Sequence, residues 1–294
     1  MKIRKYAAID IGSNAVRLLV SNVIDYKGQV LFQKDALVRV PIRLGQDTFT
    51  KGKISKKNIR RIVKSIKAFR LLMKVHGVED YLAYATSALR GAKNCSQVVE
   101  SVFNKSKIQI EIIDGKKEAK IISNTNVFEN IDIEKTFLYI DVGGGSTELS
   151  ILKGGKIINS ISFKIGTVRL LNKGFDQNIW NQLEIWIKKY TNIYSKIYLL
   201  GTGGNINKLH KIANLKENRP ITFLTLSLIY NKLKGLTYEE RIVELELNPD
   251  RSDVIMPATQ LFLKILEWSG AKVIYVPKVG LSDGMIRELY KTKN

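Results

Sequence analysis

"AAIDIGSNAVRLLV" (residues 7–20) sets one aspartate, Asp10, and a Gly-Ser-Asn turn between two apolar runs. "LYIDVGGGSTELSIL" (residues 138–152) repeats the arrangement around Asp141. Apolar runs on either side of a short glycine-bearing turn predict a β-hairpin. Hairpin closure does not need a carboxylate at the lip of the turn, so its appearance in both halves calls for a chemical reason. Each half continues alike, with a glycine turn ("YKGQ", "KGGK") and a third strand ("VLFQK", "IINSISF"). "DYLAYATSALRGAKN" and "KIYLLGTGGNINKLHK" then read as strand, small-residue loop and helix, and so do "IQIEIIDGKKEAKIISN" and "KVIYVPKVGLSDGMIRELY". Duplication of this kind predicts two α/β domains, each a mixed sheet covered by helices. A ligand bound by both halves would lie in a cleft between them, at the loop ends of the sheets.

The expected domains are residues 1–130 and 131–280, joined near "FENIDIEKT" (128–136), with residues 281–294 forming a closing helix that packs back on the first. The second half is longer. Its stretch from "TFLTLSLIYNKLKG" to "TQLFLKILEWSG" carries helical periodicity and reads as inserted helices.

The 294 residues are enough for two cores, and 45% hydrophobic with 26% charged residues is a globular balance. No apolar run approaches the roughly 18 residues of a membrane helix. Asp10 and Asn14 interrupt the stretch after "MKIRK", which argues against a signal peptide. Cys95 is the single cysteine, so no internal disulfide forms, and a cytoplasmic protein is expected. Lys and Arg number 48 against 27 Asp and Glu, a net charge of +21 that favours a polyanionic partner.

Turns built from Gly, Ser and Asn aim several backbone N–H groups at one point and can hold phosphate. Gly12, Ser13 and Asn14 form one such turn; Gly143, Gly144, Gly145, Ser146 and Thr147 form a second; Gly203, Gly204 and Asn205 belong to a third. A carboxylate beside a phosphate turn repels the ligand unless a cation lies between them. Asp10 and Asp141 are therefore read as Mg²⁺ holders, against the plainer reading of two turn caps. Glu148, in "GGGSTE", is a further candidate for metal or water positioning. Glu118 opens a helix after the third loop of the first half, where it is either a general base for water or a favourable dipole partner. Thr86, Ser87 and Arg90 in "ATSALR" suit phosphate oxygens, and equally suit a helix cap with a surface arginine.

"SKKNIRRIVKSIKAFRLLMKVHG" (55–77) predicts a helix capped by Ser55 and stopped at Gly77. Ile59, Ile62, Val63, Ile66, Phe69 and Met73 make its apolar stripe, and Lys57, Arg60, Arg61, Lys64, Lys67 and Lys74 a basic face without interleaved acids. That face is either solvated or a track for a long anion. His76 needs no more than a cap or dipole role, and His210 has no partner at metal-ligand spacing.

Together "AAIDIGSNAVRLLV", "YATSALR", "DGKKEAKII", "IDVGGGSTELS", "GTVRL", "GTGGN", "LNPDRSDVIMPA" and "GLSDGMIREL" resemble, in order, the exopolyphosphatase/guanosine pentaphosphate phosphohydrolase family in its short two-domain form. The resemblance implies duplicated ribonuclease-H-like/actin-like domains, cytoplasmic hydrolysis of the terminal phosphate of inorganic polyphosphate, Mg²⁺ as the cofactor, and a homodimer. The alternatives it leaves are guanosine pentaphosphate as the substrate, a non-catalytic sensor of either anion, or an actin-fold kinase or ATPase. By position Glu118 matches the catalytic base, Asp141 and Glu148 the metal- or water-positioning carboxylates, and Asp10 their counterpart. The glycine turns match the phosphate cradle and Arg90 the phosphate-contacting arginine. Lys117 replaces the first of a usual glutamate pair, and a cation there would lower the pKa of Glu118 or contact the anion. "GLSDG" replaces the commoner "GLREG". No reading helix, stacking motif or zinc knuckle points to a nucleic-acid module.

Overall fold

The computed structural model of the protein describes residues 1–123, 125, 134–174 and 176–293. The chain divides into two compact units, Met1–Thr125 with Gly280–Asn294, and Asn126–Val279. Most of the expected boundary segment, residues 128–133, lies outside the described residues.

In the first unit β1 (Lys2–Ile11), β2 (Val16–Tyr26) and β3 (Gln29–Val40) form an antiparallel meander. Then come α1 (Leu44–Lys51), α2 (Lys56–Val75), β4 (Asp80–Ala85), α3 (Ser87–Arg90), α4 (Cys95–Ser106), β5 (Glu111–Ile112) and α5 (Gly115–Ser123). The sheet order is β3-β2-β1-β4-β5, with β4 parallel to β1 and β5 parallel to β4. Residues Tyr6–Ile9 and Ile11 are buried on both faces of β1, which fits a central strand covered from both sides. Full burial of each large side chain such as Ile9, Ile11 or Leu18 contributes about 1.5–3 kcal/mol. The run "IQIEII" reads as a full strand, yet only two residues pair, because β5 is the sheet edge and has β4 alone as a partner.

α2 has the expected limits: the Ser55 side chain accepts the Asn58 N–H at 3.3 Å, and Gly77 follows with φ +68°. Ile62, Val63, Ile66, Phe69 and Met73 are buried, while Ile59 is half-buried near the helix start.

The second unit repeats the plan with β6 (Phe137–Val142), β7 (Thr147–Lys153), β8 (Lys156–Phe163), α6 (Thr167–Lys173), α7 (Gln177–Thr191), β9 (Tyr198–Thr202) and α8 (Gly204–Ile212). The expected insertion follows as β10 (Ile221–Thr222), α9 (Phe223–Gly235), α10 (Tyr238–Glu244), α11 (Pro249–Ser252) and α12 (Ile255–Ser269), before β11 (Val273–Tyr275). The order β10-β11-β9-β6-β7-β8 matches the first sheet strand for strand, with β10 added at the edge. These are two α/β units with mixed sheets, as expected of duplicated ribonuclease-H-like/actin-like domains. α12 buries Leu261, Phe262 and Ile265 in the core of this unit.

The last helix, α13 (Leu281–Lys293), belongs to the first unit, where it packs on α5, β1, β4 and β2. Gly284 allows that packing, since a Cβ there would lie 2.3 Å from the Ile121 carbonyl oxygen of α5. Asp283, in the "GLSDG" departure, accepts the Gly280 N–H at 2.9 Å and pairs with Lys34 at 2.9 Å.

Candidate active site

Three strand ends of the first unit converge. The parallel register sets Ile11 beside Ala85 and Ala85 beside Ile112, so the loops after β1, β4 and β5 are neighbours. Asp10, Gly12, Ser13, Asn14, Thr86, Ser87, Arg90 and Glu118 all fall at this end. The Gly12 N–H donates to Ala15 O and closes the first turn. A segment after β3 braces it: Arg43 N–H donates to Asn14 O at 2.9 Å and Gly45 N–H to Ser13 O at 2.8 Å. A Cβ on Gly45 would meet the Ser13 Cβ at 2.9 Å, so only glycine lets the brace approach.

Asp10 is 4% exposed, and cross-strand register places Arg17 directly opposite it. The Arg17 guanidinium donates to Asp10 Oδ2 at 3.0 Å. Burial pushes the Asp10 carboxyl above the usual carboxylate range, against the pull of Arg17. Arg90 is half-buried rather than a free surface arginine, and its guanidinium donates to Ile113 O at 2.6 Å, tying the β4 loop to the β5 loop. Thr86 takes the N-cap position of α3 without a side-chain cap bond.

Glu118 closes the first turn of α5 and is 8% exposed. Asp114 starts that helix, its carboxylate accepting the Lys117 N–H at 2.7 Å. Lys117 points to Glu111, at 2.6 Å, and lies 4.7 Å from the centre of the Tyr84 ring. Partial burial opposes its charge, but Glu111 and Tyr84 outweigh this and hold the ammonium above its ordinary range. The cation beside Glu118 in sequence is therefore committed elsewhere.

In the second unit the hairpin register sets Asp141 opposite Glu148, on one face of neighbouring strands. Glu148 is 1% exposed and accepts the Ser162 hydroxyl at 2.9 Å. The carbonyls of the glycine turn are turned onto the first residues of α6. Thr167 N–H donates to Gly143 O at 3.0 Å, Val168 and Arg169 N–H to Gly144 O at 2.8 and 3.0 Å, and Arg169 Nε to Gly145 O at 2.8 Å. Among the described residues the N–H groups of Gly144, Gly145 and Ser146 meet no protein acceptor. A Cβ on Gly166 would stand 2.6 Å from the Gly145 and Ser146 nitrogens, so glycine keeps the space around these donors clear. This is a ready anion cradle.

Thr202 pairs in register with Asp141 on the parallel neighbour β9, and its hydroxyl bonds that of Tyr139. Gly203 follows at φ +100°, and a Cβ there would lie 2.8 Å from Asp141 Oδ1. Gly204 and Asn205 start α8, with Arg251 Nη1 donating to Gly204 O at 2.9 Å. Asp141, Gly143–Thr147, Glu148 and Gly203–Asn205 thus share the carboxyl ends of β6 and β9.

Mg²⁺ takes one or two carboxylates and completes its shell with water and substrate phosphate oxygens. Asp141 and Glu148 fit that requirement: both are hard oxygen donors, and two like charges facing across strands cost stability that a cation offsets. No group of three or more His, Cys, Asp or Glu side chains suited to a metal occurs among the described residues.

Sequence reading passed over Arg17, Arg43, Gly45, Gly166 and Arg251. Arg17 was legible, since in a tight hairpin the residue seven after Asp10 must face it. Gly166 and Arg251 fall within or beside quoted motifs, but their contacts run between distant segments.

The chain matches the family model described as the Ppx/GppA phosphatase family over residues 23–293. It is 29% identical, across 98% of its length, to the bifunctional 3-dehydroquinate synthase/phosphatase of Fusobacterium nucleatum, spanning 47% of that protein. It is 24% identical to Exopolyphosphatase 2 of Mycobacterium tuberculosis, covering 98% of this chain and 99% of the relative. The crystal structure of an exopolyphosphatase from Cytophaga hutchinsonii shares the fold, with a TM-score of 0.89 at 22% identity over 98% of each chain. The family match runs from within β2, just past the first hairpin turn, to the end of α13, and the protein belongs to the Ppx/GppA phosphatase family.

Proposed function

We propose that this chain is an exopolyphosphatase that releases the terminal phosphate of inorganic polyphosphate with Mg²⁺, Glu118 being the general base. The N–H groups of Gly144, Gly145 and Ser146 bind non-bridging oxygens of the anion, with the Gly12–Asn14 turn serving in the same way. Thr86, Ser87 and the remaining N–H donors of Arg90 hold further phosphate oxygens. Asp141 and Glu148 would hold the ion, with Asp10, already met by Arg17, as a secondary holder. When bound, Mg²⁺ neutralises phosphate charge as the transition state forms. Glu118 accepts a proton from water as the water oxygen attacks the terminal phosphorus in line and the bridging P–O bond breaks. The products are orthophosphate and a chain shorter by one unit.

The cradle of acceptorless N–H groups beside the Asp141–Glu148 pair carries this reading, and the +21 charge favours the longer anion over guanosine pentaphosphate. The test is phosphate release from polyphosphate and from guanosine pentaphosphate with Mg²⁺, for wild type and Glu118→Gln. Wild type is expected to act on polyphosphate, and the variant to lose roughly 10²–10⁴ in rate while still binding it. Tight binding of either anion without release would replace the enzyme by a sensor.

A further inference from the structure

Helix α2 carries a straight line of cations that the chemistry above does not use. Lys57, Arg60, Lys64, Lys67, Leu71 and Lys74 follow one another at three- and four-residue steps, which places them on one face, and all six are exposed. Between Ser55 and Gly77 there is no acidic residue. Among the described residues none of these five cations makes an ion pair, a ring contact or a hydrogen bond through its side chain. Their neighbour Arg61 differs, since its guanidinium donates to Ile42 O at 3.0 Å and Pro41 O at 2.8 Å.

Fold stability does not ask for this line. Cations in the first turns of a helix oppose its dipole, and like charges at these steps repel by a few tenths of a kcal/mol per pair. Lys57, Arg60, Lys64 and Lys67 are thus a cost unless an anion meets them, while Lys74, in the last turn, suits the dipole.

The line also has a direction. Val40, Val16 and Ile11 are side by side in the sheet, so Pro41 and Ile42, where Arg61 anchors the start of α2, lie at the loop end of the first unit. From there the same segment supplies Arg43 and Gly45, which brace the Ser13–Asn14 turn. The other end of α2 is fixed at the opposite edge: His76 meets Asp35 at 3.1 Å, and the Glu79 N–H donates to Lys5 O at 2.8 Å. The 20 residues of the helix span about 30 Å at 1.5 Å per residue.

We infer that the outer face of α2 is a docking track for the body of a polyphosphate chain, leading away from the phosphate-binding loops of the first unit. The inference rests on the exopolyphosphatase reading and extends it from the terminal phosphate to the units behind it. Charge complementarity selects this occupant. The track offers point charges on flexible stems and no exposed aromatic ring, whereas single-stranded nucleic acid would need stacking surfaces for its bases. A bare linear polyanion needs only the charges.

The test compares wild type with a variant in which Lys57, Arg60, Lys64, Lys67 and Lys74 are all changed to Gln. A control removes the same charge from the second unit, at Lys156, Lys216, Lys232, Lys234 and Lys272, all exposed. Phosphate release is measured on long-chain polyphosphate and on tripolyphosphate, and binding of long chains is measured directly at several salt concentrations. The expected result is a loss of about 10-fold or more in kcat/KM for the long chain, through KM, in the track variant alone. Release from tripolyphosphate and kcat at saturation stay at the wild-type level, and the salt dependence of long-chain binding becomes shallower. Equal long-chain KM in wild type and track variant overturns the track and leaves the exopolyphosphatase reading standing. A wild type that binds long chains without releasing phosphate, with binding lost in the track variant, supports the track and overturns that reading. Equal losses in track and control variants reduce the effect to net charge and overturn the inference. Retention on single-stranded nucleic acid that depends on the track, with no change on polyphosphate, also overturns it.

Discussion

Asp10 and Asp141 occupy equivalent places in the two hairpins, yet Arg17 faces one and Glu148 the other. The first pair balances itself within the fold, and the second sets two carboxylates face to face, where the proposed function puts a cation. Asp10 nevertheless remains costly, because burial raises its carboxyl above the usual range despite Arg17. In the unfolded chain the same carboxyl ionises near about 3.9. The unfolded state therefore releases this proton first as pH rises, and the native state loses stability between the unfolded and folded values. Asp10→Asn removes that loss. Thermal unfolding across a pH series is expected to show little difference between variant and wild type below about 3.9, and a higher Tm for the variant above it. A variant less stable than wild type at neutral pH would show that the Arg17 pair outweighs the burial. This contrast was within reach of sequence, since register across a short turn is local. The opposed effects of burial and pairing were not, because burial comes from helices far away in the chain.

At the scale of elements, the position of Glu118 depends on what α5 leans against. Gly284 of α13 lies against the backbone of Ile121, one turn beyond Glu118, where a Cβ would come within 2.3 Å of the carbonyl oxygen. Backbone cannot turn aside as a side chain can. Gly284→Ala is expected to lower stability by about 1–3 kcal/mol, and to lower kcat more than KM by shifting α5. Gly235, at the end of α9, has open space around it, so Gly235→Ala should leave both stability and turnover near wild type. Unfolding curves and steady-state rates on both variants check this, and a fully active Gly284→Ala would detach α13 from the placement of the base. The strands, the two hairpins and the inserted helices were legible because period-two and helical patterns are written in adjacent residues. The brace at Arg43 and Gly45 was not, since a segment beginning with the ordinary-looking "PIRLG" acquires its role only when β3 returns beside β2.

For the whole molecule, the duplicated order of the sheets came from repetition in the sequence. One piece breaks the symmetry: α13 follows the second unit in the chain but completes the first. A chain cut before Gly280 uncovers β1, β4 and α5, and should keep the second unit folded while losing the cooperative unfolding and the activity of the first. Limited proteolysis with phosphate-release measurements on that fragment tests this, and an active fragment would refute it. The chain is made from its N-terminus, so α13 leaves the ribosome only after the whole second unit has been built. The residue proposed as the base is synthesised before the second unit begins, yet the helix that carries it waits for α13 before it has that surface to rest on. Until α13 is made, α5 and the residue proposed as the base lack the surface they pack on in the folded first unit.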